Sequence, residues 1–339
     1  MNMIDHTAPN SSSTKSRVLK VLIVFAIVGC LIVTGLAVGL YSVAVNLTKS
    51  NPVLGTAAAD MTSGFAKKIL IFGSKGTAPG MFSDARSVAV DGKGNILVGD
   101  YADGRVQTFD QFGKYLSSFT FGEGSTGVNA LQVGPDGKVY VAHNNILSIH
   151  DASGQKTGTV DGAQGTDAMT FGPDGSLYIL TDEDVVKRFD AHQKLTLTIP
   201  HAFSSQTGSG ESTKYIAVDK FGNIYIVGDY KCMVIKYSPT GKYLTKFGGR
   251  AKKTGPAIPG TLFTPSGIVT DSYDRVFVSD WNTDVEVFQG NGKTIRSIDA
   301  VTLGFTSLVY GMNIDKNDRI YLALGDKIMV LEIEAALQQ

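Results

Sequence analysis

From Ser87 to Phe119 the chain alternates short apolar runs with breaks rich in Gly and Asp: SVAVDGKGNILVGDYADGRVQTFDQFGKYLSSF. The runs are about five residues long and rich in Val, Ile, Phe and Tyr, side chains that suit a pleated surface. The breaks supply positive φ and side-chain hydrogen bonds to nearby N–H groups. The pattern predicts four antiparallel strands, A to D, in one meander.

The meander recurs. Taking the last turn residue before strand B as a marker gives Gly94, Gly137, Gly175, Gly222, Asp274 and Asp318, spaced by 43, 38, 47, 52 and 44 residues. Strand B follows each marker, as in Asn95-Ile-Leu-Val, Lys138-Val-Tyr-Val, Asn223-Ile-Tyr-Ile and Arg319-Ile-Tyr-Leu. Its core positions are apolar on both faces. Such a sheet, repeated six times at this period, predicts an all-β, six-bladed β-propeller.

Five copies carry four strands, with C–D turns beginning at Asp110, Asp151, Asp190, Ser238 and Gln289. The sixth stops after strand C, Lys327 to Glu332. An unassigned run upstream, Lys67-Lys-Ile-Leu-Ile-Phe-Gly73, is similar to the D strands that begin at Lys114 and Lys242. The expectation is that this N-terminal strand completes the last blade and hides its open edge. The propeller is then residues 67–333, with a C-terminal tail at 334–339. The D–A links are short early on but long at His201 to Ser212 and Gly248 to Pro265. These two are expected to overhang the ligand face around blades four and five.

Before the repeats the pattern changes. Residues 1–20 are polar and Ser-rich, a tail expected to be disordered. Val21 to Val45 is a run of 25 residues without a charge. As a helix it would reach roughly 37 Å, more than the roughly 30 Å of bilayer hydrocarbon. Lys15, Arg17 and Lys20 precede it and only Lys49 closely follows. That bias puts the N-terminus in the cytoplasm and the propeller outside, on a cell membrane. A signal peptide would have a shorter apolar region. Ile27-Val-Gly-Cys30 has the form of a lipoprotein box, but the apolar run continues to Val45. An uncleaved single-pass anchor is the expected reading, with residues 46–66 as a tether rich in Ala, Gly, Ser and Pro.

Charge narrows the partners. Lys and Arg number 31, as do Asp and Glu, and no basic stripe is present, which argues against nucleic acid. The two cysteines, Cys30 in the apolar run and Cys232 on predicted strand C, suit neither a disulfide nor a metal site. Cys232 reads as a small buried apolar residue.

With strands and turns placed, the repeats resemble NHL repeats. Ser87-Val-Ala-Val-Asp-Gly-Lys-Gly-Asn-Ile-Leu-Val-Gly-Asp-Tyr matches that family's pattern nearly throughout, and Tyr215-Ile-Ala-Val-Asp-Lys-Phe-Gly-Asn-Ile-Tyr-Ile matches well. Blades two, three and six are degenerate. The resemblance implies the propeller fold. The family includes protein- and RNA-binding propellers, extracellular sensor domains and a few enzymes, so function must come from the site.

Strand A should line the central channel. Five residues before the markers lie Ala89, Gln132, Thr170, Ala217, Val269 and Asn313; seven before lie Ser87, Ala130, Ala168, Tyr215, Gly267 and Gly311. None is a carboxylate or histidine, so neither the metal set of gluconolactonase-like hydrolases nor that of amidating-type lyases is visible. His143, His150, His192 and His201 have no metal-ligand spacing and read as solvated loop or strand residues. No catalytic residue, metal or cofactor is expected. Asp-Gly turns such as Asp91 to Gly94 offer too few oxygens for calcium and read as β-turns.

A binding rim remains. Eight residues before the markers lie Arg86, Asn129, Asp167, Lys214, Ser266 and Tyr310, a mixed-charge ring. After strand B come Asp100-Tyr101, Asp229-Tyr230 and Asp280-Trp281-Asn282. The aspartates are expected to cap the B–C turn. Tyr101, Tyr230 and Trp281 stand where the fold needs no large apolar group, and read either as binding hot spots or as cover for the neighbouring blade's edge. The expected contacts are Arg86, Tyr101, Asn129, Asp167, Lys214, Tyr230, Trp281, Asn282 and Tyr310. The function expected is recognition of a protein, peptide or glycan. The alternative is a propeller hydrolase or lyase acting at the channel mouth.

Overall fold

A computed structural model describes residues 65–120, 127–211, 214–252, 258–281, 284–299, 303–304 and 307–335. The tail, the 21–45 segment, nearly all of the tether, the end of the C-terminal tail and Asn282 lie outside them. Among the described residues no helix is long and apolar enough to cross a membrane.

Among the described residues twenty-four strands form six antiparallel four-stranded sheets. Strand β1 is Ala66–Phe72. Blade one is β2 Ala85–Val90, β3 Ile96–Asp100, β4 Arg105–Phe109 and β5 Tyr115–Thr120. Blade two is β6 Ala130–Val133, β7 Val139–His143, β8 Ile146–His150 and β9 Lys156–Thr159. Blade three is β10 Thr166–Phe171, β11 Leu177–Thr181, β12 Val186–Phe189 and β13 Leu195–Ile199. A short helix, α1 (Ser204–Thr207), precedes blade four: β14 Lys214–Val218, β15 Ile224–Gly228, β16 Met233–Tyr237 and β17 Tyr243–Gly248. Blade five is β18 Pro265–Thr270, β19 Arg275–Asp280, β20 Asp284–Gln289 and β21 Thr294–Asp299. Blade six is β22 Gly311–Ile314, β23 Ile320–Ala323 and β24 Ile328–Ile333, completed by β1.

The expected closure is present. β1 pairs antiparallel with β24, Lys67 opposite Glu332 and Phe72 opposite Ile328. Neighbouring A strands touch in sequence, and β22 meets β2 to close the circle.

Burial follows position in the blade. β3, β7, β11, β15 and β19 are buried along their whole length. The outer strands β5 and β17 hold only exposed and half-buried residues. Turn chemistry fixes the register. The Asp219 carboxylate accepts N–H bonds from Phe221 at 2.9 Å and Asn223 at 2.8 Å. It also accepts the buried Tyr225 hydroxyl at 3.1 Å, tying turn to strand B. Asp315 holds the Tyr321 hydroxyl the same way at 3.0 Å.

Four expectations need correction. Asp100 does not cap its B–C turn. It accepts the N–H groups of Ser83 at 2.7 Å and Asp84 at 2.9 Å, latching the link that enters its own strand A. Asp280 does the same to Phe263 and Thr264. Cys232 is buried as expected, yet it stands just before β16 at φ 56°, in the turn rather than the strand. His143 and His150 are buried, because both hydrogen-bond the Ser148 hydroxyl, at 3.0 and 2.9 Å, inside blade two. The link after blade three folds inward instead of overhanging. Ala202 and Phe203 are fully buried, and Asp184 accepts the Phe203 and Ser204 N–H groups, both at 2.8 Å.

Candidate functional site: the channel mouth

A propeller leaves an axial channel where its six inner strands converge. Here it is a cavity of about 800 Å³ lined by residues of strand A from every blade. The end where strands A begin carries Arg86, Tyr101, Asn129, Asp167, Tyr215 and Tyr310. The far end carries Lys220, Ser272 and Lys316. No described residue of the two long links, and no histidine, lines it. Among the described residues no group of three or more His, Cys, Asp or Glu is placed to hold a metal ion.

The upper mouth is built around Arg86. Its Nε donates to Asp84 at 2.9 Å, and its Nη2 lies 2.6 Å from the same carboxylate. Asp84 raises the Arg86 pKa further, so the cation is permanent. The guanidinium lies 4.2 Å from the Tyr101 ring centroid and 5.6 Å from that of Tyr310. Trp281 meets Tyr310 edge-on at 6.4 Å between centroids and is 44% exposed. Four side chains from blades one, five and six thus form one aromatic and cationic patch. Gly311 allows the close approach, since a Cβ there would strike the Arg86 carbonyl.

Blades three and four supply the opposite sign. Asp167 lines the mouth, and its Oδ2 is buried without a hydrogen-bond partner. Burial raises its pKa, with Lys214 opposing and Asp182 assisting. Tyr215 sits beside it. Burial pushes its phenol up to about 12, with Asp229 adding and Arg86 opposing. Next to them burial raises the Glu211 carboxyl, and the Asp229 carboxyl hydrogen-bonded to it raises it further. Glu211 in turn accepts the Tyr230 and Lys231 N–H groups. Lower in the channel, Asn313 donates to Gln132 at 3.2 Å and Gln132 to the Met169 carbonyl at 3.3 Å. This amide string links blades six, two and three.

The expected contacts therefore separate. Arg86, Tyr101, Trp281 and Tyr310 come together, and Asn129 and Asp167 face the same cavity. Lys214 does not. It is 1% exposed, its ammonium donating to the Glu211 carbonyl at 3.2 Å beneath the link. Ser266 is equally buried and bonds Ser279 at 3.1 Å. Tyr230 is 65% exposed but lies off the channel, under Arg250 at 5.4 Å. Tyr215 is the member that the sequence reading left out of the rim. Its signal was there, one large residue at a register position otherwise held by Ser, Ala and Gly.

No family model matches this chain, and no curated protein matches it. Solved structures do. A catalytically inactive His-to-Ala variant of virginiamycin B lyase from Staphylococcus aureus, with quinupristin, aligns at TM-score 0.56 and 14% identity, over 78% of this chain and 99% of that one. Selenomethionine-substituted virginiamycin B lyase from the same organism aligns at 0.53 and 12%, over 79% and 100%. A streptogramin B lyase aligns at 0.53 and 13%, over 78% and 97%. At such identities the likeness is one of fold, and it makes residues 65–335 a six-bladed propeller of the same architecture.

Proposed function

We propose that this chain is a membrane-tethered binding protein, an NHL-like propeller held outside the cell membrane by residues 21–45. Its N-terminal tail is cytoplasmic, and its upper mouth recognises a protein, peptide or glycan. One observation carries the reading. A permanently charged guanidinium, stacked on two tyrosines beside an exposed tryptophan, stands at the mouth of a channel of about 800 Å³. Aromatic rings and arginine supply most of the energy at recognition surfaces, and packing within the fold gives Trp281 no reason to be so exposed. Asp167, across the mouth, offers a polar ligand a second, oppositely placed contact. The test is full-length protein in detergent, probed on peptide and glycan arrays. Trp281→Ala and Tyr101→Ala are each expected to weaken the strongest signals at least tenfold. An unchanged profile in both variants overturns the reading.

A second reading, a lyase or hydrolase at the same mouth, draws support from the fold shared with the streptogramin lyases. It predicts loss of intact quinupristin on incubation with the protein, followed by chromatography. Undiminished quinupristin removes that substrate from consideration.

A further inference from the structure

The opposite face carries aromatic side chains that the fold does not use. Strands A and C descend to this face, so every A–B and C–D turn lies on it. The third residue of each turn is Lys93, Asp136, Asp174 or Asn317 in four A–B turns, and Ser153, His192, Thr240 or Asn291 in four C–D turns. In the remaining three it is Phe112, Phe221 and Tyr273. They are 75%, 62% and 51% exposed, so burial cannot be why they are there. Each is presented by a rigid turn. The preceding aspartate accepts the N–H of Phe112 at 2.9 Å, of Phe221 at 2.9 Å and of Tyr273 at 3.0 Å. An exposed cation flanks one of them, Lys220 at 5.2 Å from the Phe221 ring; Arg275, 5.1 Å from the Tyr273 ring, is buried and paired with Asp271.

The chain enters the ring on this same face. β1 begins at Ala66, opposite Ile333 at the lower end of β24, and Glu334 donates its N–H to the Phe65 carbonyl at 2.9 Å. Only residues 46–64 separate Phe65 from the uncharged run. As flexible chain they have a mean reach of about 25 Å. Aromatic rings with neighbouring cations are the side chains that settle at the boundary of headgroups and acyl chains.

We propose that the lower face rests on the outer surface of the bilayer, with Phe112, Phe221 and Tyr273 inserted at the headgroup boundary. The binding mouth then points away from the membrane. This rests on the tether reading above.

The single tryptophan of the chain, Trp281, lies on the upper face and makes the test clean. Full-length protein is reconstituted into phosphatidylcholine vesicles with and without brominated acyl chains, which quench nearby indoles. Phe221→Trp and, separately, Tyr273→Trp are made in a Trp281→Phe background. Each double variant is expected to lose at least half its emission in brominated vesicles, and the wild type less than a tenth. Emission unquenched in both double variants, or Trp281 quenched in the wild type, overturns the docked orientation while leaving the tether standing. Protein released from the vesicles by alkaline carbonate overturns the tether, and the docking with it.

Discussion

At the scale of single residues, the site depends on side chains whose surroundings are set far away in sequence. Tyr215 occupies a register position that is small in the other five blades, and it lines the same cavity as Ser87 and Gly311. Lys214, next to it, has the composition of a rim contact and is lost beneath a link that no local pattern places there. Glu286 shows the same dependence with a measurable consequence. It lies in β20, accepting the Gly260 N–H at 2.8 Å and the Ser297 hydroxyl at 2.5 Å. Burial pushes its carboxyl from 4.5 up to about 7. Between those values the folded chain holds a proton that the unfolded chain releases. This group's contribution to stability therefore falls as pH rises through that window, by a few kcal/mol in all. The Tm difference between wild type and Glu286→Gln should change steadily from pH 4.5 to 7 and level off above it. A difference independent of pH would contradict this placement of the proton.

At the scale of elements, strands and turns were legible because each is specified twice. Asp219-Lys-Phe-Gly-Asn223 is a turn by its own hydrogen bonds, and Ile224-Tyr-Ile is a strand by its pattern. The links were not legible. Asp100 and Asp280 reach back to groups 16 or 17 residues earlier, a pairing without sequence periodicity. The closing strand was legible because β1 resembles the D strands of other blades. Its anchor is Phe72, whose ring lies 4.8 Å from Phe109 and 6.5 Å from Phe82. Phe72→Ala should cost about 3 kcal/mol, the range for a large aromatic cut back against a core. Chemical denaturation would measure it, and a cost below about 1 kcal/mol would mean that β1 adds little to the ring.

At the scale of the molecule, the ring is one circuit of contacts, so a fault between any two blades reaches all six. Gly311 marks the junction of the last blade with the first. Its missing Cβ leaves room for the Arg86 carbonyl, backbone that cannot swing aside. Gly311→Ala should lower stability by about 1–3 kcal/mol and move Arg86 off Tyr101, weakening ligand binding by the same shift. Unaltered denaturation and array binding would show that the junction has slack. The seam between β1 and β24 also sets an order of events during synthesis. β1, the first of the described strands to leave the ribosome, has no partner until β24 is made, with more than 250 residues between them. Until that late meeting the nascent ring carries two bare sheet edges at once. Chaperones that meet the nascent chain have both to shield until then.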